Sequence, residues 1–328
     1  MWSMVMQTAV EPEPVSENGN PPVSVFVSVF NGEDYIVEAV ESVLEQTEQD
    51  FELVVIDDGS EDRTVELLQQ MDDPRIRVFS KPNEGIGAPL NPWLRQCRGK
   101  YIMRIDADDV CAPGRMRAQV DFLEANPDVV IVGGQFRHFV DDTIGTPSSL
   151  PLSHREILDG LRQGIHTISH ATTMWRASLL EQMDGYQWSG AGEDWSLLLE
   201  AVRYGELANL SEVVYHVRLH SESSSARGAR SVIEGFAFAR ARYERFLDGD
   251  PHYSLQEHDS EVGNSWLDEV SVQARALSLS IHRRSHVKRF AGRSVEGAAL
   301  LVAAAVLDPR KTAGALWKVW RRSSSHLR

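Results

Sequence analysis

Short apolar runs that end in polar or acidic residues, each followed by a stretch with helical spacing, recur through the first hundred residues, and this alternation constrains the fold most tightly. Val23 to Phe30 is a β-branched and aromatic run ending at Asn31-Gly32. Glu33 to Gln46 then sets Ile36, Val37, Val40, Val43 and Leu44 at helical intervals. Phe51 to Ile56 repeats the pattern, ends in Asp57-Asp58-Gly59-Ser60, and leads into an amphipathic helix from Asp62 to Met71. Ile76 to Phe79 and Tyr101 to Ile105 supply a third and a fourth strand. Gly85 to Cys97, between them, has helical character that Pro89 and Pro92 confine to its later part. Such alternation predicts an α/β fold with a doubly wound, mainly parallel sheet, whose ligands bind beyond the carboxyl ends of the strands.

The pattern divides the chain into three parts. Residues 1–22, with Glu-Pro-Glu-Pro and Pro-Pro, read as a flexible lead-in; 23–226 as the sheet domain; and 227–328 as an appended α-helical carboxyl-terminal region. The 328 residues carry 33 Lys+Arg against 48 Asp+Glu, a net charge of −15, which disfavours nucleic acid as a partner. Cys97 and Cys111 make neither a disulfide framework nor a zinc site, so a reducing, cytoplasmic setting is expected. The first basic residue is Arg63, so the amino terminus lacks the positive region of a secretory signal. The longest apolar run, Ala298 to Leu307, has 10 residues, half of the roughly 20 that a spanning helix needs.

Three acidic motifs carry the chemistry. Asp106-Ala107-Asp108-Asp109 follows the fourth strand directly, and residues two apart in extended chain point the same way, so Asp106 and Asp108 can converge. They suit Mg²⁺ or Mn²⁺ bridging to a substrate diphosphate, or else an Asp-rich turn capping the helix that begins near Pro113. Asp57-Asp58-Gly59-Ser60 is either a plain turn or a carboxylate placed to hydrogen-bond a base or ribose. Gly190-Ala191-Gly192-Glu193-Asp194-Trp195 opens a helix whose buried side is Leu197, Leu198, Ala201 and Val202. Its carboxylates either complement the helix dipole or furnish a general base. Neither a dinucleotide-binding glycine fingerprint nor a phosphate-loop motif occurs in the chain.

Taken in order, Val23-Ser-Val-Phe-Val-Ser-Val-Phe-Asn31, Ile56-Asp57-Asp58-Gly59-Ser60, Asn83-Glu84-Gly85, Asp106-Ala107-Asp108-Asp109, Asp184-Gly185-Tyr186 and Glu193-Asp194 resemble the family 2 glycosyltransferases of GT-A fold over roughly residues 22 to 222. The resemblance implies inverting transfer of a sugar from a nucleotide-diphosphate donor to an acceptor hydroxyl, with a sugar or a lipid-linked molecule as acceptor, in cell-surface polysaccharide or glycolipid synthesis. It further implies that Asp58 contacts the base with Ser28 and Phe30 beside it, that Asp106 and Asp108 hold the metal and the ribose-diphosphate, and that Asp194, with Glu193 adjacent, is the catalytic base. His220 resembles a late histidine that reaches back to the metal; His170 and His216 are the other histidines near the core. Two departures stand out. Ala88-Pro89-Leu90-Asn91-Pro92 lacks the basic residue common there, and no Gln-x-x-Arg-Trp follows Glu193-Asp194, which favours single addition over processive synthesis. Two other functions compete with this one: a nucleotide-sugar-binding module without catalysis, and a nucleotidyltransferase that makes the donor, although the Gly-rich basic loop of the latter is missing after the first strand.

Residues 281 to 328 hold eleven Lys/Arg against Glu296 and Asp308, a charge of +9 that leaves −24 for the other 280 residues. Basic residues around Ala298 to Leu307, Trp317 and Trp320 fit helices lying peripherally on the anionic cytoplasmic face of a membrane, or else a solvated helical tail or an oligomer contact. With a membrane role, the full chain co-sediments with anionic vesicles at low salt and a chain lacking 281–328 does not; equal sedimentation of both removes that role.

Overall fold

The computed structural model describes residues 20–220 and 229–262. The lead-in up to residue 19 and the basic tail 281–328 lie outside the described residues. Four parallel strands open the fold: β1 (Val23–Val29), β2 (Phe51–Asp57), β3 (Ile76–Ser80) and β4 (Tyr101–Asp106), paired in the order β3-β2-β1-β4. Their continuous apolar sequence has a plain cause, because both faces are covered. Val23, Val25, Val27 and Val29 of β1 join Leu53 and Val55 of β2 in a layer under helix α1 (Ile36–Leu44), which buries Ile36, Ala39, Val40 and Val43. Phe26, Val54 and Ile56, on the opposite face, pack with Leu90 and Leu94.

The helices are shorter than their sequence patterns. α2 spans Thr64–Gln70 rather than Asp62 to Met71, because Asp62 turns its carboxylate back to accept from the amides of Thr64 (3.0 Å) and Glu33 (3.0 Å). Within Gly85 to Cys97, a 3-10 turn (Ala88–Leu90) runs into the four-residue helix α3 (Asn91–Leu94), and the two prolines withhold the N–H groups that a longer helix needs.

The second half extends the same sheet with mixed pairing. It comprises β5 (Val110–Cys111), α4 (Arg115–Ala125), β6 (Val129–Val140), β7 (Thr143–Ile144), α5 (His154–Arg162), β8 (Met174–Arg176), α6 (Leu179–Gln182), α7 (Glu193–Ala201) and β9 (Glu206–Arg218). β8 lies antiparallel between β4 and β6, β6 pairs parallel with β9, and β5 pairs antiparallel with β9 through Val110↔His216 and Cys111↔Tyr215. Register shifts near Gly133 and Gln135 bend the β6–β9 ladder. The far end of β9 therefore arrives over the acidic loop that links β4 to β5.

Helices α8 (Ala229–Leu247) and α9 (Leu255–Val262) follow, and the rest of the region expected to be helical, 263–328, lies outside the described residues. Ala239 and Tyr243 of α8 pack with Trp195 and Leu198 of α7, so every residue from Trp195 to Ala201 is buried, not just one stripe. No helix among the described residues is long and apolar enough to cross a membrane.

One backbone contact positions the start of α7. Gly87 pairs with Ser189, the Ala88 amide donates to the Trp188 carbonyl (2.9 Å), and the Gly190 amide donates to the Ile86 carbonyl (2.9 Å). Gly87 sits at φ +88°, and a Cβ there would stand 2.1 Å from the Trp188 oxygen and 3.0 Å from Cβ of Glu193. Gly87→Ala should therefore destabilise the fold by about 2 kcal/mol, read as a lower urea midpoint at unchanged m-value.

Candidate active site

The carboxyl ends of β1 and β4 meet in register at Ser28 and Asp106. The loop from Asp106 to Asp109 is pinned by the end of β9: the Asp106 amide donates to the Tyr215 hydroxyl (2.8 Å), the Arg218 amide donates to the Asp109 carboxylate (2.7 Å), and Arg218 Nε donates to the Asp108 carbonyl (2.9 Å). Arg218 itself lies over the rings of Tyr35 and Phe139 and pairs with Glu38. Asp106, Asp108 and Asp109 thereby bring carboxylate oxygens within 4.8 Å of one another. His220 closes the group, with Nε2 2.7 Å from Asp108 Oδ2 and its ring 5.0 Å from that of Tyr35. The other ring nitrogen, Nδ1, is buried and has no hydrogen-bond partner among the described residues.

Such crowding carries an electrostatic penalty. Burial, then the charges of Asp108 and Asp106, push the Asp109 carboxyl well above its usual range. Desolvation also pushes Asp106 up, with Asp108 and Asp194 adding to it and Arg104 opposing it. A divalent cation would relieve this repulsion, and three hard oxygen donors with one imidazole fit Mg²⁺ or Mn²⁺.

Arg104 connects this cluster to the second one. It is buried in β4, pairs with Asp106 at 2.8 Å, and reaches Ser28 Oγ at 3.4 Å. Burial would weaken the cation, yet Asp106, followed by Tyr186, Tyr215 and Glu193, raises its pKa overall.

Glu193 and Asp194 begin α7 after Gly192, which holds φ +99°. Asp194 Oδ1 accepts the Trp195 amide (3.0 Å), and Oδ2 lies 3.6 Å from His166 Nδ1. Glu193 Oε1 lies 3.9 Å from His170 Nδ1, while His170 Nε2 and the Tyr186 hydroxyl share a 2.9 Å hydrogen bond. Burial first and the Asp194 charge second push Glu193 up to about 8. Burial and Arg104 drive His170 the opposite way, well below its usual value. His216 lies outside both groups, on the β5–β9 pair.

The base-side candidates occupy neighbouring strand ends. Asp58 is buried and accepts from Lys81 and from the amides of Glu84 (2.9 Å) and Gly85 (2.8 Å), so it holds the Asn83-Glu84-Gly85 loop in place. Ser28 is half-buried beside Asp106, and Phe30 is 49% exposed.

Residues 24–184 match the family described as Glycosyl transferase family 2. A glycosyltransferase of Haemophilus influenzae is 32% identical over 222 residues, 63% of this chain and 68% of that protein. The chain belongs to glycosyl transferase family 2. Two other relatives of this glycosyltransferase are named for polysaccharides. Escherichia coli chondroitin synthase is 30% identical over 63% of this chain, which spans only 30% of that protein. The amylovoran biosynthesis glycosyltransferase AmsE of Erwinia amylovora is 28% identical over 62% of this chain and 79% of its own length. Among solved structures, S. aureus TarS in complex with UDP-GlcNAc superposes with a TM-score of 0.56 at 19% identity, covering 87% of this chain and 91% of TarS. A mannosyltransferase from Pyrobaculum calidifontis, in complex with GDP-Man and Mn²⁺, gives 0.54 at 20% identity over 97% and 86%. Both share the GT-A fold.

Sequence reasoning on this glycosyltransferase misses Arg104, His166 and the ligand-like placement of Asp109. A lone charge inside the apolar run Tyr101 to Ile105 was a usable signal for Arg104, since an arginine is rarely buried without a partner. His166 and Asp109 carried none, because tertiary contacts set their roles.

The raised pKa of Glu193 makes a stability prediction. A carboxyl that resists ionising in the native state costs stability as pH climbs from its ordinary 4.5 through about 8. In EDTA, Glu193→Gln should melt higher than the parent above pH 8, with the two curves converging below pH 5. A gap that is constant from pH 5 to 9 would contradict the assignment.

Proposed function

We propose that this glycosyltransferase is inverting and metal-dependent, and that it moves one sugar from a nucleotide-diphosphate donor to a sugar or lipid-linked acceptor hydroxyl in polysaccharide or glycolipid synthesis. The observation that carries the proposal is the pairing of two carboxylate groups across Arg104: Asp106, Asp108 and Asp109 on one side, Glu193 and Asp194 on the other. Asp108, Asp106 and His220 would hold Mg²⁺ or Mn²⁺, which when bound offsets the charge that grows on the departing diphosphate. Support for a nucleotide sugar comes from the UDP-GlcNAc and GDP-Man carried by the two structural neighbours.

Each residue has a physical task in this reading. Asp58 keeps the Asn83-Glu84-Gly85 loop at the rim, and Oδ2, which accepts one amide, retains a lone pair for an N–H of the base. Ser28 and Phe30 flank that base. Arg104 fixes Asp106 so that its carboxylate faces the donor side. Glu193, pushed up to about 8, is largely protonated at neutral pH and is a poor proton acceptor. Asp194 is then the base. Its Oδ1 is occupied by the Trp195 amide, and Oδ2 takes the acceptor proton as the hydroxyl attacks the anomeric carbon from the face opposite the diphosphate. A single displacement of this kind inverts the carbon. The basic tail, outside the described residues, would bring the enzyme to the cytoplasmic face of a membrane that carries lipid-linked acceptors.

A thermal-shift screen of UDP, GDP, UDP-GlcNAc and GDP-mannose with Mn²⁺ or Mg²⁺ tests the reading, because a ligand confined to the native state raises the melting temperature. One nucleotide class should raise it by several degrees in the presence of the cation and not in EDTA. Asp108→Ala should lose that metal-dependent shift. Asp194→Asn should keep the shift and lose about 100-fold or more in turnover, and wild-type turnover in both variants would sink the proposal.

A further inference from the structure

His166 faces the second carboxylate oxygen of Asp194 and also reaches solvent. Asp194 is mostly buried, with 18% of its side chain exposed; Oδ1 is tied to the Trp195 amide, and Oδ2 stands 3.6 Å from His166 Nδ1. That separation closes to a direct hydrogen bond with one short side-chain rotation. The His166 ring is 50% exposed and lies tilted against Trp195 at 4.3 Å between centroids, and Trp195 in turn meets Phe236 at 4.8 Å. The loop carrying it is fixed on both sides: the Ile165 amide donates to the Gly160 carbonyl (2.9 Å), Thr167 Oγ1 donates to the Ile157 carbonyl (2.7 Å), and Asn209 Nδ2 donates to the Thr167 carbonyl (2.8 Å). The parallel pair His170 and Glu193 has no such outlet, since both side chains are nearly covered and Tyr186 occupies His170 Nε2.

We propose that His166 is a positioning residue for Asp194 that carries the acceptor proton from that carboxyl out to water. The proposal rests on Asp194 being the base. In the transfer step the acceptor O–H bond breaks and its proton goes to Asp194 Oδ2. The acceptor oxygen bonds to the anomeric carbon, and the bond from that carbon to the diphosphate breaks with its electron pair leaving on the diphosphate. Asp194 Oδ2 then gives the proton to His166 Nδ1, and the imidazolium releases its Nε2 proton to solvent, which restores the carboxylate and leaves the ring neutral with its proton on Nδ1; proton exchange of the ring with water returns that proton to Nε2 before the next turnover. A mostly covered base turns over faster with such an exit for its proton. The charges around the pair come from several elements. Glu193 adjoins Asp194 on α7, Arg104 and Asp106 come from β4, and His170 lies on the turn before β8. From α8 the uncharged Phe236 makes the contact with Trp195, while Arg230 and Glu234 on that helix pair with each other at 2.7 Å.

The test uses the full chain in two arms. In the first, histidine labelled with ¹³C at Cε1 is followed by NMR without any donor, and the His166 resonance is the one absent from His166→Phe, a change that keeps a ring on Trp195. Its midpoint should fall by about half a pH unit or more when Asp194 becomes Asn, because a neighbouring carboxylate favours the imidazolium. In the second, release of UDP from UDP-GlcNAc or of GDP from GDP-mannose is followed with Mn²⁺. His166→Phe should lower kcat about tenfold with donor KM held within about twofold, and should lose the acid limb that titrates near an imidazole pKa of about 6.5. Added imidazole should restore part of the rate in His166→Ala. An unmoved resonance, a wild-type kcat, an intact acid limb or failure of imidazole rescue would each overturn the relay. Full turnover by Asp194→Asn overturns the base reading instead, whereas a dead Asp194→Asn beside a wild-type His166→Phe overturns the relay alone.

Discussion

The site is organised around one buried cation. Arg104 is the counter-charge that lets carboxylates from two distant stretches of chain, Asp106 on β4 and Glu193 on α7, approach one another inside an acidic protein. Without it, the end of β4 and the start of α7 would repel across a poorly solvated gap, and the cheapest relief would be separation or protonation. Its guanidinium also donates to the Ile105 carbonyl and reaches Ser28, which ties the arginine to the backbone and to β1. A residue that supplies a counter-charge and several directed hydrogen bonds together is hard to replace by lysine, whose point charge lacks the planar fork.

A second constraint is the short antiparallel pair β5–β9. Two residues, Val110 and Cys111, suffice to fold the acidic loop back under Tyr215, His216 and Arg218. That hairpin-like contact converts an Asp-rich turn into a cluster, because it supplies the Tyr215 hydroxyl as acceptor for the Asp106 amide and the Arg218 amide as donor to the Asp109 carboxylate. The Arg218 side chain completes the clamp by sandwiching between Tyr35 and Phe139 while pairing with Glu38 from α1. Elements separated by 180 residues in sequence thus meet over one loop.

The strands were legible because a parallel strand covered on both faces must be apolar at consecutive positions, and Phe51–Asp57 is buried throughout. Asp106 with Asp108, and Glu193 with Asp194, were legible for a different reason: they punctuate the ends of such strands or the start of a helix, where polar residues lie open to ligands. Asp109 was hidden because its role depends on the Arg218 amide, 109 residues away. The histidines followed no local rule. His220 sat within a matched segment, whereas His166 falls in an unpatterned loop whose position is set by Trp195 and by hydrogen bonds to Gly160, Ile157 and Asn209. The full burial of α7 was misjudged as a stripe because α8, which covers its other side, is distant in sequence.

The two carboxylate groups differ chiefly in what surrounds them, and that difference divides the work in the proposed reaction. Asp106, Asp108 and Asp109 crowd one another, so their mutual repulsion makes a cation the stabilising partner. Glu193 and Asp194 crowd each other too, but Glu193 is buried near Arg104 and Tyr186, and it answers the repulsion by keeping its proton up to about 8. Protonation of Glu193 removes one of the two adjacent negative charges at the start of α7. In this reading the same repulsion would be resolved by a metal on one side of Arg104 and by a proton on the other, and a net acidic chain would bind a diphosphate without a basic surface.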